Sequence, residues 1–151
     1  VIRLSDSVYD NPSIAAVGVA CHEAGHAAQH AEKYLPIRIR NYILPVCNIG
    51  SRISIPLLIA GVIFSAEPII WIGIGLFAFT AIFQTVTLPV EFNASNRALN
   101  VIESTGILSF EEKRGASKVL KMAAMTYVAA LAMSLAQLLR LILRYGGRRD
   151  E

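Results

Sequence analysis

Charge is what this 151-residue chain lacks most: Asp, Glu, Lys and Arg make up 17% of it, against 54% hydrophobic residues. Together with a mean hydropathy of +0.52, this excludes an ordinary soluble domain of the same length and places the chain in a membrane class. Cysteine is also scarce. Cys21 and Cys47 cannot build a disulfide framework and read as two free thiols that need no oxidising compartment. No internal repeat, low-complexity tract or nucleic-acid motif occurs. The net charge of +3 comes from arginines that flank apolar runs, which points to anionic headgroups before nucleic acid. An initiator methionine and a signal peptide are absent too. The chain opens on Val1-Ile2-Arg3-Leu4-Ser5, whose alternation predicts a short strand, able in principle to pair with an extended substrate. A chain that begins inside a strand is expected to have lost an N-terminal part or to be a processed product.

Long apolar runs are what the chain has instead. Ile69 to Leu88 is free of charge, and twenty residues at a helical rise span about 30 Å, the thickness of a hydrocarbon core. Met122 to Leu139 is a second uncharged run, extended by Leu141-Ile142-Leu143 past Arg140, whose long side chain can snorkel. Ile53 to Ala66 is shorter, contains Pro56 and meets Glu67-Pro68, a turn signal. It reads as the first arm of a helical hairpin over 53–88, short, tilted or begun before Arg52.

Before these runs stands Cys21-His22-Glu23-Ala24-Gly25-His26-Ala27. On a helix, positions i and i+4 share a face, so His22 and His26 can bind one metal, with Glu23 beside it to hold and deprotonate a bound water. The surrounding Ile14–Ala20, Ala24, Gly25, Ala27 and Ala28 are apolar or small, and two imidazoles and an acid in such a helix are costly unless coordinated or hydrogen-bonded. Neutral imidazoles with a carboxylate suit zinc. The helix is predicted over 12–33, with Asn11 as N-cap and Pro12 in its first turn.

A catalytic zinc has three protein ligands and an open position. His30 continues the i+4 series but has turned about 80° away from His22, so it is expected outside the ligand set. Glu91 is the better candidate. It follows Pro89 at the exit of the Ile69–Leu88 run and opens a helix expected over 89–104, and a carboxylate there needs an interface or a cation. A hairpin that goes out and returns brings Glu91 back to the side of His22 and His26. Ser109-Phe110-Glu111-Glu112 resembles a capping box that opens a C-terminal hydrophobic helix over 110–144.

Through Val1-Ile2-Arg3-Leu4-Ser5, Ser13-Ile14-Ala15-Ala16, the His22–His26 segment and Pro89-Val90-Glu91-Phe92-Asn93-Ala94-Ser95, the chain resembles the YugP-like neutral zinc metallopeptidases of bacterial membranes. It is more distantly similar to HtpX-type and CAAX-prenyl-protease-type peptidases. The resemblance covers nearly the whole chain, read as one membrane-embedded domain over 1–151. It implies a mainly α, gluzincin-like integral-membrane peptidase in which His22, His26 and Glu91 are zinc ligands and Glu23 is the general base. Where HtpX-like enzymes have an aspartate four residues after the glutamate, this chain has Ser95, which can hydrogen-bond a ligand histidine without adding charge. Asn93 could share that role. YugP-like chains generally carry an N-terminal membrane helix before the strand.

The expected activity is hydrolysis of peptide bonds in membrane proteins, juxtamembrane segments or nearby peptides by zinc-activated water, with Arg97 as the first choice for the oxyanion donor and Tyr34, Tyr42 and His30 behind it. A homo-oligomer or a membrane-complex partner would supply core that the helices lack. Basic residues flank the hairpin and none lies at its tip, which predicts a multi-pass cell-membrane protein with a cytoplasmic site. The tail Arg144-Tyr145-Gly146-Gly147-Arg148-Arg149 runs against that count if the last helix crosses. Two other readings compete: a non-catalytic scaffold stapled by zinc, which would want a fourth ligand from His30 or Cys21, and a zinc transporter, which would want ligands at mid-membrane.

Overall fold

A computed structural model describes residues 2–146; Val1 of the expected strand, and Gly147, Arg148 and Arg149 of the basic tail, lie outside them. The described chain is four helices: α1 Ile14–Ala31, α2 Leu35–Ile63, α3 Glu67–Thr105 and α4 Phe110–Gly146. By contact it divides into two units, Val1–Arg38 with Thr87–Val128, and Ile39–Val86 with Ala129–Glu151. Helices α2, α3 and α4 are each long and apolar enough to cross a membrane.

The expected N-terminal strand does not form. Ile2–Ser5 are irregular and Asp6–Asp10 are turns, because an alternating segment becomes a strand only with a partner for its backbone groups, and no strand occurs among the described residues. Helix α1 also starts later than predicted. Asn11 Oδ1 accepts from the Ser13 amide at 3.0 Å, and Ser13, with extended backbone, is the N-cap whose hydroxyl accepts from the Ala16 amide at 3.2 Å. Asn11 and Pro12 thus shape the approach to the helix. At its other end Lys33 adopts φ 55°, and the Tyr34 amide reaches back to the Gln29 carbonyl at 2.9 Å, the 6→1 bond of a Schellman ending.

Helix α2 runs from Leu35 through both Pro45 and Pro56, so the hairpin's first arm begins well before Arg52. The turn falls at Phe64–Ala66, with Ser65 at φ 51°. Glu67 and Pro68 open α3, where a proline's missing N–H falls among amides that have no helical acceptor anyway. Pro89 does not start a new helix. It sits inside α3, withholding only one backbone donor, so the uncharged run and the Glu91 segment belong to one helix. Gly106 at φ 64° ends that helix. The capping box expected at the start of α4 forms: the Ser109 amide donates to Glu112 Oε2 at 2.8 Å, and the Glu112 amide donates to Ser109 Oγ at 3.3 Å.

In the unit of α2 and α3, small residues permit close packing of the two arms. A Cβ on Gly61 would lie 2.7 Å from Ile70 Cγ1 and one on Gly73 2.8 Å from Leu58 Cγ. Ile53, Ile55, Ile59, Val62, Ile72 and Ile82 of these arms are exposed, the apolar covering that a spanning helix presents to lipid.

In the other unit, α1 lies against the C-terminal part of α3 and the first half of α4. Ala16, Val90, Ala94, Ala98, Ile102, Ala116 and Leu120 are buried there. The tightest contact is at Gly25, where a Cβ would stand 2.7 Å from the Ala94 carbonyl oxygen and 3.2 Å from Ala94 Cα. The neighbour is backbone and cannot swing aside. Gly25→Val should therefore lower stability by about 1–3 kcal/mol, seen as a lower unfolding temperature in detergent, whereas Gly75→Ala, whose added Cβ meets nothing within 4 Å, should be neutral or better. Equal effects of the two would contradict this packing.

Candidate metal centre

One turn of α1 separates His22 from His26, and their rings meet edge to face with centroids 4.6 Å apart. The Gly25–Ala94 contact lets α3 come close enough for Glu91 to reach both. Glu91 Oε2 is 3.3 Å from His22 Nε2 and 3.7 Å from His26 Nε2, and the ligand atoms of the three residues all lie within 4.8 Å of one another. Glu91 is buried, at 4% exposure. A carboxylate so enclosed needs positive charge or donors, and two imidazoles lie beside it. Two nitrogens and one oxygen at this spacing form the set that zinc takes in catalytic sites.

Each histidine is held by its other nitrogen. Ser95 Oγ lies 3.1 Å from His22 Nδ1, in keeping with the hydrogen bond expected of it. His26 Nδ1 lies 3.0 Å from Gln29 Oε1, and Gln29 in turn donates through Nε2 to the Val90 carbonyl and to Asn93 Oδ1, both at 2.9 Å. Both Nε2 atoms are thereby turned to Glu91. Asn93 hydrogen-bonds not to His22 or His26 but to the glutamine that holds His26.

Arg97 is bound elsewhere than at the ligand cluster. Its Nε donates to Asn93 Oδ1 at 2.8 Å, and its two terminal nitrogens donate to Glu32 at 2.8 and 2.6 Å. That guanidinium keeps the exposed Glu32 carboxyl below its ordinary pKa. Sequence alone could not show that Arg97 would be engaged so fully, because its partner sits on the loop after α1. His30 is exposed, and neither it nor Cys21 belongs to the ligand cluster.

A cavity of about 200 Å³ opens beside the cluster, lined by His22, Glu23, Glu91 and Ser95 together with Val19, Leu120, Ala123, Ala124 and Tyr127. Glu23 thus borders the same space as two of the candidate ligands. Gln29 and Tyr127 are two residues of the site that the sequence alone does not single out. An amide one turn after the motif, facing the same way as His26, was the available signal for the first; for the second, a tyrosine inside a long apolar run was the only one.

The profile of the family described as "Putative neutral zinc metallopeptidase" matches residues 1–146. The "Putative membrane protease YugP" of Bacillus subtilis (strain 168) is 46% identical over 151 residues, which are all of this chain and 67% of that protein. No solved structure matches the chain.

The Glu91 carboxylate, through its hydrogen bond, raises the pKa of His26 above the ordinary imidazole value, against the opposing effect of burial, and Gln29 adds to the rise. A metal must displace that proton. Zinc affinity measured by chelator competition should therefore fall as the pH is lowered from about 8 to about 5, beginning above the ordinary imidazole pKa of about 6.5. Replacing His22 or His26 by alanine should abolish stoichiometric zinc. Full zinc occupancy in either variant would remove the three-ligand assignment.

Proposed function

Because this chain belongs to the family described as "Putative neutral zinc metallopeptidase", we propose that it is a membrane-bound zinc endopeptidase that hydrolyses peptide bonds in membrane proteins or membrane-associated peptides. The observation that carries this reading is the convergence of His22, His26 and Glu91 beside a cavity that Glu23 also lines. Those three side chains would hold the metal. Bound there, zinc supplies a Lewis acid that makes water more acidic and polarises a carbonyl oxygen.

Glu23 takes the proton of the attacking water and returns it to the leaving amine. Tyr127 lines the same cavity, which supports it as a donor to the carbonyl oxygen as that oxygen gains charge, while Arg97 holds Glu32 and Asn93. The apolar wall of Val19, Leu120, Ala123 and Ala124 favours an apolar substrate segment. Glu91 lies three residues beyond the uncharged run on one unbroken helix. That spacing supports a site near the membrane surface and substrates reached there, and the basic residues on the site's side of the hairpin support a cytoplasmic face.

A zinc-stapled scaffold would need a closed set of four ligands, and the cluster among the described residues has three. A transporter would carry its ligands within a span, whereas α1, bearing both histidines, is not among the helices apolar enough to cross.

The test compares the purified protein with Glu23→Gln for zinc content and for cleavage of a quenched, membrane-anchored peptide. Both should bind one zinc, and the variant should lose about 10²–10⁴-fold in kcat. Cleavage by the variant at the parent rate would exclude Glu23 as base, and zinc binding without cleavage by the parent protein would favour the scaffold. Tyr127→Phe should lower kcat while leaving zinc content and KM unchanged.

A further inference from the structure

We infer that Gln29 is a positioning residue that keeps hydrogen on His26 Nδ1 and so leaves Nε2, the nitrogen on the side of Glu91, as the one a metal takes, while His22 carries no such lock. The role of Nε2 as a metal ligand rests on the zinc reading above; the tautomer itself does not.

An amide side chain has a donor end and an acceptor end, so its direction must come from partners that can only donate or only accept. The chain of contacts supplies both kinds. Arg97 can only donate, so the Asn93 atom 2.8 Å from its Nε is the carbonyl oxygen. That oxygen also lies 2.9 Å from Gln29, and so does the Val90 backbone carbonyl. Two acceptors therefore face one end of Gln29, and that end must be its NH₂ group. Its carbonyl is left for His26 Nδ1, at 3.0 Å, which must then carry hydrogen. Turning the amide over would set its oxygen against two other oxygens. Gln29 has 0% exposure, so solvent offers no replacement partner, and such a loss in the interior is costly.

Glu32 stands at the outer end of the chain. Its two oxygens hold both terminal nitrogens of Arg97, leaving Nε aimed at Asn93. His22 differs because its Nδ1 partner is the Ser95 hydroxyl, and a hydroxyl can donate or accept. The two histidines are thus unequal: one is preset for a metal on Nε2, and the other can adjust its proton as the metal arrives.

The roles within the chain make its members respond differently to substitution. Asn93 uses one oxygen for both of its bonds, so Asn93→Asp preserves them, whereas Asn93→Leu removes them. Gln29→Met fills a similar volume without an acceptor for His26. The four proteins are compared in detergent by two readouts: ¹⁵N imidazole shifts of His26 in the metal-free state at about pH 9, above the ordinary imidazole range, and zinc affinity by chelator competition. The parent protein and Asn93→Asp should show the Nδ1–H tautomer, and Asn93→Asp should lose no zinc affinity. Gln29→Met should show mixed tautomers and bind zinc about 10–100-fold more weakly, with Asn93→Leu between them.

Retention of the Nδ1–H tautomer and of zinc affinity in Gln29→Met would reduce Gln29 to filling space and overturn the proposal. Equal losses in Asn93→Asp and Asn93→Leu would overturn the direction assigned to the chain. If Gln29→Met does not fold, the Asn93 pair still decides. Because the tautomer is read without metal and neither readout uses proteolysis, failure of the peptidase reading would leave this result separate.

Discussion

The close approach of α1 to α3 at Gly25 and Ala94 is the contact on which the site depends. With no side chain between them, the helices come near enough for a carboxylate on one to stand 3.3 and 3.7 Å from two imidazoles on the other. Every other feature of the cluster follows from that spacing. Gln29 reaches the Val90 carbonyl one turn along α1, and Ser95 reaches His22 one turn along α3. A larger residue at position 25 would meet backbone, which no rotamer change relieves.

Around the cluster, the protein assigns polar groups by burial. The buried Glu91 faces imidazoles, the buried Gln29 has every described hydrogen bond directed, and the exposed Glu32 is left to hold Arg97. An exposed ion pair adds little stability in itself. Here it has geometric value, because a two-point grip on the guanidinium fixes where the third nitrogen points. The arginine so held orients a residue two steps from the candidate ligands rather than a substrate.

Signals between neighbours in sequence carry through to the structure. The one-turn separation of His22 and His26 follows from helical periodicity, and the Ser109–Glu112 box closes within four residues. Signals that need a distant partner carry through less well. Ile2–Ser5 has strand-like alternation but no strand to join among the described residues. Pro89 looked like a helix boundary, yet one missing donor does not break a helix held by its neighbours. Arg97 was read for its charge, while its bonds are set by Glu32, 65 residues earlier in the chain. Gln29 offered only its place one turn after the motif, because the Val90 and Asn93 groups that direct its amide lie on another helix.

By itself, the sequence determined the membrane class, the long apolar helices and the paired histidines with an adjacent acid. These depend on composition and on a period of 3.6 residues, which every local stretch expresses regardless of its surroundings. Glu91 could be named from its place after the apolar run, but only the tertiary structure decided how near it stands to the histidines, which amide orients His26 and where Arg97 is spent. Those outcomes depend on how closely two helices some 65 residues apart in the chain can pack, and a glycine facing a backbone carbonyl sets that distance.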